Sequence, residues 1–588
     1  MDKRKSTNNI FLPVITLLAI MSAYLLISPV SAAVEGRPIF TLHILIDSAS
    51  PLQLEIASSL REEFAKLGIQ LEIVSMESGA LTDRLYSEVA PSYEDGGWDL
   101  VIETWWWWPT DYMWFIGCWT ASGWPPNGWN FMRWADSIAD TYLVNAMSTY
   151  NETERIKWLH LWQEHFQENP PAALLYWPII PQLCDAKLQR IDPMLWTGNA
   201  WQWYVEGKKP EDYVVVRYSV DGDPGMLNPW FMDGGYAHLE PMFSPLFRMK
   251  QVSLEPPVYE IVPELAESYE FSADGLSVTI HLRHNVTWHD GAPFTAKDVV
   301  FTFEAILDPD TGATSYGDFS EFVNSVHMLD NFTVVLNLKK PAPHLISMLS
   351  AGGLSILPYH VLGNIPHSEL RTHETNTVAP APGTGPYKFV KWVKGQYMEL
   401  EAFDNYWRGR PFVDKIILQV IPDPVTALQA LKNHEIDAIH PSQCQQLINE
   451  IPALKGRTDI AVRGGIVPAV TFLAFNNNHT ILANPYVRKA LCYAIPYEHI
   501  INDLLKGYAK QANSPVPPYW FGYDSNAPIY THNLELAKYY LEKAGYHYPL
   551  PTTPLSAYTT EISAIAICTF VVGFSVGYFA MKRRIKTT

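Results

Sequence analysis

Cysteine is scarce in this chain, five in 588 residues, and the first is Cys118. So few thiols exclude a disulfide-built scaffold, and none near the N-terminus excludes a lipid-modified N-terminal cysteine. Basic residues are outnumbered, 42 Lys and Arg against 61 Asp and Glu, for a formal charge of −19. Simple attraction to nucleic acid or to an anionic membrane surface is thereby disfavoured. The sequence has no HExxH pattern, phosphate-cradling glycine loop or cysteine pair at zinc spacing, so the usual signatures of metal or nucleotide enzymes are missing. His281, His284 and His289 crowd one short segment, but along a strand they do not share a face. No metal, no cofactor and no catalytic constellation is expected.

What is present is length, aromatic side chains and two apolar segments. A chain of 588 residues can bury more than one core. Near the start, Lys3, Arg4 and Lys5 precede an apolar run and the small-residue exit Val30-Ser31-Ala32. Residues 1–32 therefore read as a secretory signal, with an uncleaved anchor helix as the alternative. Residues 562–581, "ISAIAICTFVVGFSVGYFAM", are long enough to cross a bilayer. Lys582, Arg583, Arg584 and Lys586 follow at once, which predicts a cytoplasmic tail over 582–588 and a body outside. Residues 547–561, rich in Pro, Ser and Thr, read as a stalk. Gly573-Phe-Ser-Val-Gly577 copies a nucleophile elbow but lies inside the predicted span, without a strand–turn–helix context. Sequons at Asn151, Asn285, Asn331 and Asn478 are compatible with export. Cys118, Cys184, Cys444 and Cys492 lie in the exported body and could pair, with neither count nor spacing choosing among them.

From Pro38 the pattern alternates strand and helix. "FTLHILID" is strand-like, and Leu52, Ile56, Leu60 and Phe64 then mark one helical face. Gly68 ends the helix and "IQLEIVSM" follows as a strand, completing a βαβ unit. Asn151 and Glu154 predict a capped helix with Ile156, Leu159, Trp162 and Phe166 on its apolar face, stopped by Pro170 and Pro171. From Tyr213 short strands and proline-entered helices alternate with Gly- and Pro-bearing turns. The expected class is a multi-lobed α/β protein.

Several blocks then fall into a series. "GDPGMLNP" at Gly222 is followed by "VPELAESYEFSADGLSVTIHLRHNVTWHDGAPFTAKDVVFTFE", "GTGPYKFVKW" at Gly383, "NYWRGRPFVDKIILQVIPD" at Asn405, "NPYVRKALCYAI" at Asn484 and "LELAKYYLEKAGY" at Leu534. In order and spacing this resembles family 5 of the extracytoplasmic solute-binding proteins of ABC importers, the oligopeptide- and dipeptide-binding class. The continuation that normally follows "KAGY" instead resembles the front of this chain, from Pro38 to about Arg190. The resemblance therefore implies a circular permutation. A fusion of two broken copies is the alternative, but fusion would leave overlap or gaps and these pieces are complementary.

The resemblance implies a periplasmic-binding-protein-like clamp of two α/β lobes with an extra domain beside one of them. Mapped onto this chain, the first lobe combines 191–245 with 360–459, the extra domain is 246–359, and the second lobe joins 460–546 to 38–190. It further implies a monomer that delivers its ligand to an ABC permease, held to the membrane through the C-terminal helix, with no enzymatic activity.

The most informative stretch is "ETWWWWPTDYMWF". In peptide binders the corresponding segment lines the cleft and often carries an aspartate for the peptide amino terminus. That position is Trp108 here, with Asp111 three residues on. If Trp105, Trp106, Trp107 and Trp108 form a strand, alternate rings face opposite ways, two toward the cleft and two into the core. On the other wall "NPWFMDGGYAH" matches a loop that touches ligand backbone in the family, which makes Asp233, Gly234 and Tyr236 candidates. A peptide-like ligand leads. An oligosaccharide stacked on the tryptophans is the alternative, and a surface hydrolase or adhesive protein is the remotest.

Overall fold

β1 (Phe40–Asp47) and β2 (Ile69–Met76) pair in parallel, joined by the helix Pro51–Ala65. That helix begins where the Ser50 side chain accepts from the Gln53 amide and Pro51 presets the first turn. Ile56, Ala57, Leu60 and Phe64 form its buried face. Gly68, at φ 73°, makes the left-handed turn into β2. β3 (Leu100–Trp106) pairs with the other edge of β1. The structure is a computed structural model and describes residues 38–547 except 88–89, 107–112, 126–127, 193–194, 196, 232–235, 255–256, 455 and 519. The expected signal, stalk, membrane span and tail lie outside the described residues. Among the described residues no helix is long and apolar enough to cross a membrane.

β4 (Ala172–Asp185) is 14 residues long, and that length decides the architecture. Its first part pairs antiparallel with Ala469–Phe475, which lies against β3, and its last part with Ile460–Ile466. A twelve-stranded sheet results, in which β4 joins two parallel-cored halves. One half is built on β1, β2 and β3. The other is built on Val215–Val220, flanked in parallel by Lys415–Val420 and Ala438–Ile439. The chain returns between the halves through 466–469, where Ile180, Val467 and Ala469 form a small apolar cluster. The fold is thus α/β and two-lobed, as the sequence pattern predicts.

Helices remote in sequence share one interior in the β1–β3 half. Ile56, Leu60 and Phe64 pack with Val487 and Leu491 of Pro485–Ala494 and with Ala537 and Leu541 of Leu534–Lys543. Full burial of each such Leu, Ile or Phe contributes about 1.5–3 kcal/mol. At the rim of this core the rings of Phe40 and Tyr546 lie 4.9 Å apart.

A separate antiparallel sheet runs Ala266–Phe271, Ser277–Leu282, Thr333–Leu338, Val323–Asp330 in spatial order. The helix Ala296–Leu307 packs on it, entered through a reciprocal Thr295–Asp298 capping box. The segment "WHDG" is stitched to "GTGP": the Gly383 amide donates to His289 Nδ1 at 3.1 Å, and His289 Nε2 meets the Gly385 carbonyl at 2.9 Å. A Cβ on Gly383 would stand 1.9 Å from the Met242 carbonyl oxygen, so only glycine fits there. These motif blocks hold the fold together and do not face a ligand.

The two halves also touch away from the crossing strands. Tyr150 lies between the helices Ser137–Ser148 and Glu152–Glu168 of the β1–β3 half. Its hydroxyl donates to the Gly275 carbonyl at 2.9 Å and accepts from the Ala342 amide at 3.0 Å. Its ring lies 4.5 Å from Phe271. Cys118, Cys184, Cys444 and Cys492 are all buried and free. All four sequon asparagines are exposed.

Candidate functional site

In an open α/β sheet, ligands bind beyond the carboxyl ends of the parallel strands. In the β1–β3 half those ends carry Asp47, Glu77 just past β2, and Glu103 to Trp106. Gln53 braces them, accepting from the Asp47 amide at 2.8 Å and donating to the Ile102 carbonyl at 3.2 Å. Ser78 donates to the Asp47 carboxylate at 3.1 Å, and Glu77 accepts from the Ala80 amide.

β3 splits its last residues between two faces, as strand alternation requires. Trp105 points toward the interior beside Trp119 at 4.9 Å, Phe472 at 5.0 Å and Phe131 at 5.7 Å, and keeps only partial exposure. Trp106, on the opposite face, is 51% exposed. Trp107, Trp108 and Asp111 lie outside the described residues. Glu103 shares the face of Trp105. Burial pushes its carboxyl up to about 7, opposed by a hydrogen bond from the Thr104 amide and reinforced by the Asp47 charge. Tyr86 borders the same spot and takes a hydrogen bond from the Trp105 indole, and burial raises its hydroxyl far above its ordinary value. Trp129, half exposed, meets Tyr86 edge-on at 5.5 Å.

In the other half, the ends of Val215–Val220 and Ala438–Ile439 present Asp221 and His440. His440 Nδ1 accepts from the Ser442 amide at 3.3 Å and lies 2.7 Å from the Ser442 hydroxyl, which reaches Asp221 at 3.3 Å. Burial lowers His440 to about 4, with Asp221 acting the other way and His238 adding to the shift. The imidazole is therefore neutral near pH 7. Asp233 and Gly234 lie outside the described residues, and so does the side chain of Tyr236, which opens the short helix Tyr236–Leu239. The loop that carries them is rooted in the core on one side by Trp230, whose indole donates to the Ser355 carbonyl at 3.0 Å.

Sequence reasoning missed Glu103, Tyr86, Trp129, Asp221 and His440. One cue was available: Asp221 and His440 directly follow apolar strand runs, and Glu103 interrupts one. Among the described residues, no group of three His, Cys, Asp or Glu is placed to hold a metal ion. The crowded histidines are spread out, His281 exposed on its strand, His284 stacked 4.0 Å from Phe332 and His289 in the glycine stitch.

Residues 260–573, a little over half of the chain, match the family described as Bacterial extracellular solute-binding proteins, family 5 Middle. The chain is 33% identical over 350 residues to a Brucella ovis protein that bears the name of an ABC transporter peptide-binding protein, covering 58% of this chain and 63% of that one. It is 32% identical over 285 residues to the oligopeptide-binding protein AppA of Bacillus subtilis, 48% of this chain and 51% of that one. The chain thus spans less than two thirds of the length of these curated relatives. The solved structure of AppA with a nonapeptide superposes with a TM-score of 0.45 at 26% identity, over 58% of this chain and 66% of that one.

Proposed function

Because the chain belongs to family 5 of the bacterial extracellular solute-binding proteins, we propose that it captures a peptide-like solute outside the cytoplasm and hands it to an ABC permease. The observation that carries this reading is the divided sheet, whose two halves each end their parallel strands in polar and aromatic side chains beside the crossing strands. The peptide class comes from the names of the Brucella and Bacillus relatives. Binding, not bond cleavage, is the task, since the family consists of solute-binding proteins. Selection for a free amino terminus does not rest on position 108, where tryptophan cannot pair with an ammonium. Asp111 and Asp233 remain candidate acids, with Trp105 to Trp108, Gly234 and Tyr236 as further ligand contacts. An oligosaccharide is the second reading, favoured by the half-exposed rings of Trp106 and Trp129.

The chain is further proposed to be a circular permutation, with 38–190 and 460–546 forming one lobe, 191–245 and 360–459 the other, and 246–359 the added domain. Support comes from the core shared by Pro51–Ala65, Pro485–Ala494 and Leu534–Lys543, and from the contact of Phe40 with Tyr546. The proposed attachment is the span 562–581 after removal of 1–32, leaving a monomeric body outside the membrane. One experiment tests ligand and attachment together. Full-length protein extracted from membranes should gain thermal stability with short peptides, whereas chain truncated before Glu561 should carry the same response into the medium. A response to oligosaccharides alone would replace the peptide reading, and truncated protein that stays in the membrane fraction would refute the C-terminal anchor.

A further inference from the structure

Glu103 poses an electrostatic problem that its surroundings do not solve. Its carboxyl is largely buried, and no Lys, Arg or His among the described residues comes within ion-pair reach. Arg84, on the neighbouring helix Ser78–Ser87, is committed elsewhere. It donates to the Gly97 carbonyl at 2.6 Å and lies over the Tyr93 ring at 4.4 Å. A carboxylate held away from water without a cation is unfavourable, so the group either keeps a proton or takes up a cation from outside.

The position favours the second course. Glu103 keeps a sliver of exposure at the carboxyl end of β3, where a ligand would lie. Around it stand aromatic side chains. Trp105 shares its strand face, Tyr86 interacts with both, and Phe472 faces it across the antiparallel pair. Trp129 extends this surface outward from Tyr86. A carboxylate bordered by aromatic faces is the setting in which ammonium groups bind, by charge and by cation–π attraction together.

We infer that Glu103, with the rings of Tyr86 and Trp105, forms a seat for the ammonium group of the ligand. The inference rests on the solute-binding reading above and narrows it to ligands that carry a free amine. It also assigns a role that position 108 cannot fill.

The groups facing Glu103 are few. Asp47 comes from β1, Tyr86 from Ser78–Ser87 and Cys118 from the helix Met113–Trp119, while Ala469–Phe475 contributes no titratable side chain. Tyr86 and Cys118 are both held protonated by burial. Between pH 5.5 and 7.5 Glu103 is therefore the member of this set that changes charge.

The test uses full-length protein in detergent and isothermal titration with trialanine and N-acetyl-trialanine. At pH 7.5 the wild type should bind trialanine about tenfold or more tightly than the acetylated probe, and Glu103→Gln should erase that difference while leaving the acetylated probe unchanged. Lowering the pH to 5.5 should weaken trialanine binding to the wild type about tenfold, an arm that needs no variant. A Glu103→Gln protein that still discriminates as the wild type does would overturn the seat. If neither peptide binds the wild type, the peptide reading fails by itself. The seat is then read from quenching of tryptophan fluorescence by methylammonium, expected in the wild type and lost in Glu103→Gln. No quenching in the wild type would overturn it.

Discussion

His289 illustrates how little a residue type says without its neighbours. In the sequence it is one of three crowded histidines, but in the structure its two ring nitrogens take opposite roles, which fits a neutral ring protonated on Nε2. Burial lowers it to about 4, against an ordinary value of 6.5. Its folded value is depressed, so the unfolded chain binds the extra proton first. The stability it contributes is fully present above about pH 6.5 and is lost as pH falls toward 4. His440 is displaced in the same direction. The melting temperature should therefore fall between pH 6.5 and 4, and His289→Gln should lower it at pH 7 while flattening that slope. An unchanged slope in the variant would show that His289 does not titrate in this window. Glu103 was less legible still. A single acid within "LVIETWW" is visible in the sequence, but its face, its aromatic neighbours and its missing cation are tertiary facts.

Elements were far easier to read than residues, because caps and periodicity are local. Asn151, Asn484 and Asn533 each accept amide hydrogen bonds at the start of their helices, and "FTLHILID" and "IQLEIVSM" are strands over the stretches expected. The apolar face of Glu152–Glu168 is rotated from the simple reading. Leu159, Trp162 and Phe166 are buried, but Arg155 takes the place given to Ile156, donating to the Ala146 carbonyl at 3.1 Å and stacking 4.8 Å from Phe521. A long cationic side chain can bury its stem and charge when such partners exist, and periodicity cannot foresee them. The tetratryptophan run was taken as one strand, but the strand ends at Trp106. The order of elements leads to the test of the permutation. Residues 206–211 form an exposed connection, and surface connections tolerate new termini best. A chain reopened there, with Tyr546 joined to Pro38 by a short glycine linker, should fold and melt cooperatively within a few degrees of the parent. Failure to fold, checked by circular dichroism, would count against the permutation.

At the scale of the whole molecule, the two-lobed plan could be expected from the resemblance, whereas the contacts between lobes could not, because nothing local encodes them. Tyr150 is such a contact. It sits in a turn between two helices yet bonds to Gly275 and Ala342 on the far unit. Each of those hydrogen bonds is worth about 0.5–1.5 kcal/mol net, and neither involves a ligand. Their effect is on time. A clasp made only when the halves are together cannot help a solute find the open protein, but it lengthens the interval before the protein reopens. Tyr150→Phe should thus leave the association rate of a bound peptide nearly unchanged and speed its dissociation about tenfold, a shift of about 1.4 kcal/mol. Stopped-flow measurement of both rates would decide it, with equal dissociation rates refuting the clasp. For a protein that must also let go, this side chain would set the dwell time of the cargo, and so how long a permease has to collect it.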